Sequence, residues 1–143
     1  IGKRGIGNKK KEGDRITPRG KFKIKYIFYR KDRINNFKTE ISKRIIKKNM
    51  GWCNDSKSKR YNKLIKFPFN FSAERLYRKD NIYDIILVLN YNTNPVLKNK
   101  GSAIFIHVAK KKYKNTEGCI GLSKMNLKKI IRKIKKRTIV NIT

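Results

Sequence analysis

One histidine, His107, and one of only two cysteines, Cys119, lie within a single stretch, Gly101 to Leu122 (GSAIFIHVAKKKYKNTEGCIGL). A thiol with an ordinary pKa of roughly 8.5 is mostly protonated at neutral pH, and the thiolate is the attacking species. Histidine, with an ordinary pKa of roughly 6.5, can take that proton and later return it to a leaving amine. Backbone N–H groups around Gly118 and Cys119 can face the oxyanion of a tetrahedral intermediate. Acyl transfer through a thioester therefore needs nothing beyond this stretch. The same two residues also read as a satisfied histidine at a strand end and a small buried core cysteine, and residue type alone leaves both readings open.

The elements that must position the pair are partly legible. Ser102 to Val108 is a short apolar run that predicts a strand with His107 near its end. A polar loop follows, then Gly118-Cys119-Ile120-Gly121, where flanking glycines open backbone conformations closed to other residues. Ser123 to Lys136 predicts a helix with Ser123 as N-cap, Leu127, Ile130, Ile131 and Ile134 on one face and a solvated basic face opposite. Thr138 to Ile142 is a closing strand, and Ile82 to Tyr91 a buried one. Phe22, Ile24, Tyr26 and Phe28 alternate with Lys23, Lys25 and Ile27, which predicts a half-buried strand with those four residues on one face. Ser72 to Leu76 reads as a short helical turn begun by Ser72. In Asp32 to Asn49 the helical spacing of Ile34, Phe37, Ile41 and Ile45 competes with β-branched content, and neither prevails. The fold class expected is mainly β, a curved sandwich or barrel-like sheet with one peripheral C-terminal helix, forming one domain over residues 1–143.

Composition excludes several alternatives. The 40 basic residues against 9 acidic ones give a net charge of +31, but the lysines are spread through every segment alongside Ile and Asn. That distribution reads as compositional rather than as a nucleic-acid face, so no nucleic-acid partner is expected. No stretch reaches the roughly 18 to 20 apolar residues of a transmembrane helix. One histidine and two cysteines provide no metal spacing, so neither a metal nor a cofactor is expected. Cys53 has no histidine nearby in sequence. Glu74 and Asp84 read as solvated or salt-bridged rather than as a glycosidase pair, and the glycines of Ile1 to Gly20 as structural rather than phosphate-cradling. The chain opens without Met, from which an upstream segment is expected.

The run GSAIFIH followed by TEGC resembles the active-site segment of the YkuD-like L,D-transpeptidase catalytic domain family, where a strand histidine precedes a [Ser/Thr]-His-Gly-Cys turn. Carried over by position, the resemblance implies Cys119 as nucleophile, His107 as base, Gly118 as the glycine before the nucleophile and Thr116 as the Ser/Thr residue. Glu117 stands where the common pattern has a second histidine, and Gly121 where it has Asn or Arg. The loop from His107 to Cys119 is also shorter. These departures resemble a divergent bacterial branch with a Thr-x-Gly-Cys turn, and they bear on substrate recognition. The run EGD-x-x-TP-x-G-x-F, Glu12 to Phe22, resembles the opening of the same domain, where it forms a hairpin supporting the sheet. GWCND to YN, Gly51 to Asn62, is similar to the same branch, so the resemblance spans most of the chain.

Within that last segment the resemblance implies a loop walling the substrate cleft, with apolar contact from Trp52 and Tyr61 and polar contact from Asp55 and Asn62. The alternative is an ordered loop anchored by a buried Trp, with Asp55 and Asn62 capping turns. Glu117 either orients a substrate amine or points to solvent. The implied substrates are peptidoglycan stem peptides, and the implied location is periplasmic or cell-wall-associated. An amine acceptor gives a cross-link and water gives a carboxypeptidase product. The competing reading, a non-catalytic basic module for nucleic acid or anionic wall polymer, rests on charge alone.

Overall fold

The computed structural model describes residues 1–143. In chain order the strands are β1 (Ile6–Gly7), β2 (Thr17–Pro18), β3 (Gly20–Tyr29), β4 (Lys43–Ile45), β5 (Met50–Cys53), β6 (Leu64–Lys66), β7 (Ala73–Arg75), β8 (Ile85–Leu89), β9 (Phe105–Val108) and β10 (Ile120–Leu122). Helix α1 (Lys124–Lys133) and β11 (Ile139–Ile142) complete the order. The main sheet runs β10-β9-β8-β3-β11, with β4 also paired to β3, and a smaller sheet runs β6-β5-β7.

The central strand β8 explains the layering. Its five residues, IILVL, are all buried, which requires cover on both faces of the sheet. Ile85, Leu87 and Leu89 join Leu127 and Ile131 of α1 and the loop residues Ile34, Phe37 and Ile41. Ile86 and Val88 face the other way, joining Trp52, Leu76, Tyr83 and Phe105 beneath the smaller sheet. The result is a mainly β sandwich with one helix, and no sheet closes into a barrel. Ser123 caps α1 as its type predicts, its hydroxyl accepting the Asn126 N–H at 3.1 Å.

Several expectations are corrected. The register of β3 on β8 slips between Ile24 and Tyr26, where two steps on β3 face one on β8. This bulge exchanges the faces of the strand. Phe22 and Ile24 therefore pack with Ile27 and Tyr29 on the helix side, while Tyr26 and Phe28 pack on the other. Ala73–Arg75 is a strand, not a helical turn, because it completes the edge of β5. Asp32 to Asn49 contains only β4, and Ile34, Phe37 and Ile41 reach the core from loop backbone. The EGD segment does not form a hairpin. Instead β1 and β2 pair in parallel, Ile6 beside Thr17, around a loop knotted by Asp14.

That knot is compact. Asp14 accepts from Lys9 Nζ at 2.6 Å and from the N–H groups of Lys10, Lys11 and Ile16 at 2.7, 3.2 and 3.1 Å. Both side chains of the Lys9–Asp14 pair are almost completely buried. Burial opposes ionisation of Asp14, but the Lys9 ammonium and the three N–H groups outweigh it and hold its pKa at about 2. A second buried carboxylate, Asp84, is paired with Arg33 at 3.0 Å and Lys124 at 2.8 Å, tying the start of β8 to the start of α1.

Removing Asp14 leaves a buried ammonium unpaired, so Asp14→Ala is expected to lower unfolding stability at pH 7 by roughly 3 kcal/mol in denaturant titration. Because the folded pKa lies below the unfolded value of about 3.9, this carboxylate stabilises fully above that value. Its contribution of about 2 kcal/mol disappears as the pH falls toward 2. The gap between wild type and variant is therefore expected to narrow over that window.

Candidate active site

Strand β10 lies parallel to β9, with Ile120 beside Ile106, Gly121 beside His107 and Leu122 beside Val108. Extending this register by one residue sets Cys119 beside Phe105. Side chains alternate along a strand, so Cys119, Phe105 and His107 share one face. Packing agrees, since Cys119 lies against the cluster that contains Phe105, Trp52 and Tyr83.

The turn that delivers Cys119 is specified locally. Gly118 has φ +140, and a Cβ there would lie 3.0 Å from the Ile16 carbonyl oxygen. Only glycine meets both demands. The Thr116 hydroxyl accepts the Gly118 N–H at 3.1 Å and donates to the Cys119 carbonyl at 2.6 Å, closing the turn on itself. The first residues of the chain clamp it from outside through Thr116 N–H to the Ile1 carbonyl and Lys3 N–H to the Thr116 carbonyl, each 3.0 Å. At Gly121 a Cβ would come within 3.2 Å of the Ala109 Cα, which accounts for glycine there.

A cleft of about 440 Å³ opens beside this turn. His107, Thr116, Glu117, Gly118 and Cys119 all line it, joined by Lys9, Glu12, Glu74, Arg78, Tyr83, Ala103 and Lys110. His107 is buried, with Nδ1 2.9 Å from the Val108 carbonyl oxygen. Only an N–H can bond a carbonyl, so Nδ1 carries the proton and Nε2 presents a lone pair. Burial lowers the His107 pKa, and the nearby Lys110 and Arg78 cations lower it further against the opposing Val108 carbonyl. The edge of the Tyr83–His107 pair is fixed at a centroid distance of 5.5 Å and an angle of 76°.

Cys119 rests as a thiol. Its S–H donates to the Ala103 carbonyl at 3.0 Å. Burial pushes its pKa up to about 12, with the Glu74 charge adding to the rise while the Phe105 N–H and the Lys9 ammonium oppose it. The resting pair is therefore neutral thiol with neutral imidazole. Such a pair can pass a proton as a carbonyl carbon meets the sulfur, and can carry an acyl group as a thioester.

Of the other sequence-predicted residues, Trp52, Asp55, Tyr61 and Asn62 do not line this cleft. Asn62 Oδ1 accepts from Trp52 Nε1 at 2.9 Å and from Ala103 N–H at 3.0 Å, while Nδ2 donates to the Tyr91 and Asn92 carbonyls at 3.1 and 2.6 Å. This holds Ala103 at φ +53, aiming its carbonyl at the Cys119 sulfur. Tyr61 donates to Glu12 and accepts the Gly101 N–H at 3.0 Å. Trp52 packs edge-on against Phe105 at 5.2 Å, and Asp55 accepts the N–H groups of Lys57 and Ser72. Glu117 is on the exposed rim, 3.0 Å from Arg15 Nε. Cys53 is fully buried away from the cleft. Sequence reasoning missed Lys9, Glu12, Tyr83 and Arg78 altogether. Glu74 was considered only in a pairing with Asp84, whose oxygens are taken by Arg33 and Lys124.

The family model for YkuD, the L,D-transpeptidase catalytic domain, matches residues 1–142, and the chain belongs to that family. It is a family of acyltransferases that act on peptidoglycan in the cell wall. No curated protein and no solved structure matches the chain. No helix is long and apolar enough to cross a membrane.

A neutral thiol at rest predicts slow alkylation. Iodoacetamide is expected to modify Cys119 at pH 7 more slowly than free cysteine, followed by peptide mapping, with the rate still climbing at pH 10. A plateau reached below pH 8 would indicate a resting thiolate instead.

Proposed function

We propose that this protein is an L,D-transpeptidase acting on peptidoglycan stem peptides through a Cys119 thioester, with His107 as general base. The observation that carries the reading is the common face of Cys119 and His107, with the His107 tautomer fixed by the Val108 carbonyl. His107 Nε2 takes the Cys119 proton as the sulfur attacks the carbonyl carbon of the residue before the terminal D-alanine. The tetrahedral intermediate collapses as the C–N bond breaks, and the imidazolium gives its proton to the departing amine. The Gly118 N–H is already bound to Thr116, which leaves the Cys119 N–H, without an acceptor inside the protein, to meet the oxyanion.

The resting charges suit this order. A preformed ion pair is not required when proton transfer accompanies attack, and neutral His107 below its ordinary pKa stays available as a base into mildly acidic solution. Of the wall cations Lys9 is taken by Asp14 and Arg78 by Asp80, which leaves Lys110 to meet a substrate carboxylate. An amine from another stem resolves the thioester into a cross-link, and water gives the carboxypeptidase product. The site of action is the periplasm or the cell wall.

Steady-state product formation from a purified disaccharide tetrapeptide tests this. Cys119→Ala is expected to make no product, and His107→Ala to lose about 10²- to 10⁴-fold in kcat/KM. The acid limb of wild-type kcat/KM is expected below pH 6.5, because only neutral His107 accepts the proton. Turnover by folded Cys119→Ala would refute the mechanism.

A further inference from the structure

Glu74 is a cleft residue that thioester formation does not use. It sits in the middle of β7 opposite Trp52 of β5, so both side chains leave the same face of the small sheet. Its Oε1 accepts the hydroxyl of buried Tyr83 at 2.7 Å, and the Tyr83 ring packs edge-on to His107. Asp14, Asp32, Asp80, Asp84 and Glu117 each have a Lys or Arg partner. Glu74 has none within salt-bridge distance, nor have Glu12, Glu40 and Asp55, but of these four only Glu12 and Glu74 line the cleft, and Arg78, whose cation feels the Glu74 charge, is itself bound to Asp80.

This placement works against the nucleophile. The Glu74 charge adds to burial in raising the Cys119 pKa, so it opposes the first half of the reaction. Glu12, the other cleft carboxylate without an ion pair, acts on Tyr61 and Tyr91 instead of on the sulfur. An unpaired carboxylate close to the thioester and held in place by a buried tyrosine matches a cation that arrives only in the second half.

We propose that Glu74, oriented by Tyr83, binds the ammonium group of an amine acceptor, so that the acyl-enzyme is resolved by aminolysis in preference to hydrolysis. The inference rests on the thioester reading above and adds to it the residue that holds the amine acceptor. The ammonium gives one proton to Glu74, which passes it to solvent. The free amine then attacks the thioester carbonyl, and His107 Nε2 takes the second proton. The C–N bond forms, the C–S bond breaks, and the departing thiolate recovers that proton from His107. One amide, one thiol and one released proton result.

The experiment compares wild type with Glu74→Gln in two assays at pH 7. The first follows adduct formation with a carbapenem by intact mass, which needs no acceptor. The second gives the ratio of aminolysis to hydrolysis with a disaccharide tetrapeptide donor and a stem peptide bearing a free side-chain amine. Glu74→Gln is expected to form the adduct faster than wild type and to lose about tenfold or more in the ratio, the scale of one charge-assisted hydrogen bond. An unchanged ratio in Glu74→Gln or loss of its carbapenem adduct would each overturn the acceptor role. Absence of an adduct in wild type would instead defeat the thioester reading itself.

Discussion

The parallel register of β10 on β9 is the constraint on which the rest depends. A shift of one residue would move Cys119 to the opposite face from His107 and bury its sulfur on the helix side. Parallel neighbours need a crossover connection, and here that connection is the short loop Ala109 to Cys119, without a full helix to stiffen it. Rigidity comes from elsewhere. Thr116 closes the turn on both sides, Ile1 to Lys3 holds it by backbone bonds, and the Asp14 knot brings the Ile16 carbonyl against Gly118. The N-terminal segment is thus a brace for the site, although it contributes only two residues of sheet to β2.

The electrostatics of the cleft follow from its depth. Burial raises the thiol and lowers the imidazole, so each group rests uncharged, and no ion pair need form between them before substrate enters. Against a net charge of +31 the cleft is nevertheless lined by three carboxylates, of which Glu117 pairs with Arg15 while Glu12 and Glu74 are each bonded to a tyrosine hydroxyl rather than to a cation. Charge is therefore distributed unevenly at the place where chemistry is proposed, even though its spread along the sequence looks uniform.

Local signals were legible in the sequence. The all-apolar β8, the Ser123 cap and the Gly118 turn each depend on neighbours within a few residues, whereas residue type alone left His107 and Cys119 open and only the resemblance singled them out. Features set by distant partners were not. Ala73–Arg75 has a helix-start pattern, but the vacant edge of β5 makes it a strand. The β3 bulge is invisible in an alternation that continues through it, and only pairing with β8 reveals that Tyr26 and Phe28 change sides. Only the resemblance placed Asn62 at the substrate cleft, with turn capping as the alternative; in the fold four distant partners occupy its amide. Glu74 and Tyr83 meet only because β7 and the segment before β8 converge on the same cleft.

The central claim is a covalent acyl-enzyme on one particular sulfur. Its most direct measurement is acid-quenched incubation of the protein with a disaccharide tetrapeptide, followed by proteolysis and mass mapping of both cysteines. The account predicts an acyl mass on the peptide containing Cys119, released by hydroxylamine as a thioester must be, with Cys53 unmodified. Product formed while Cys119 stays free, or an acyl group on Cys53, would contradict it.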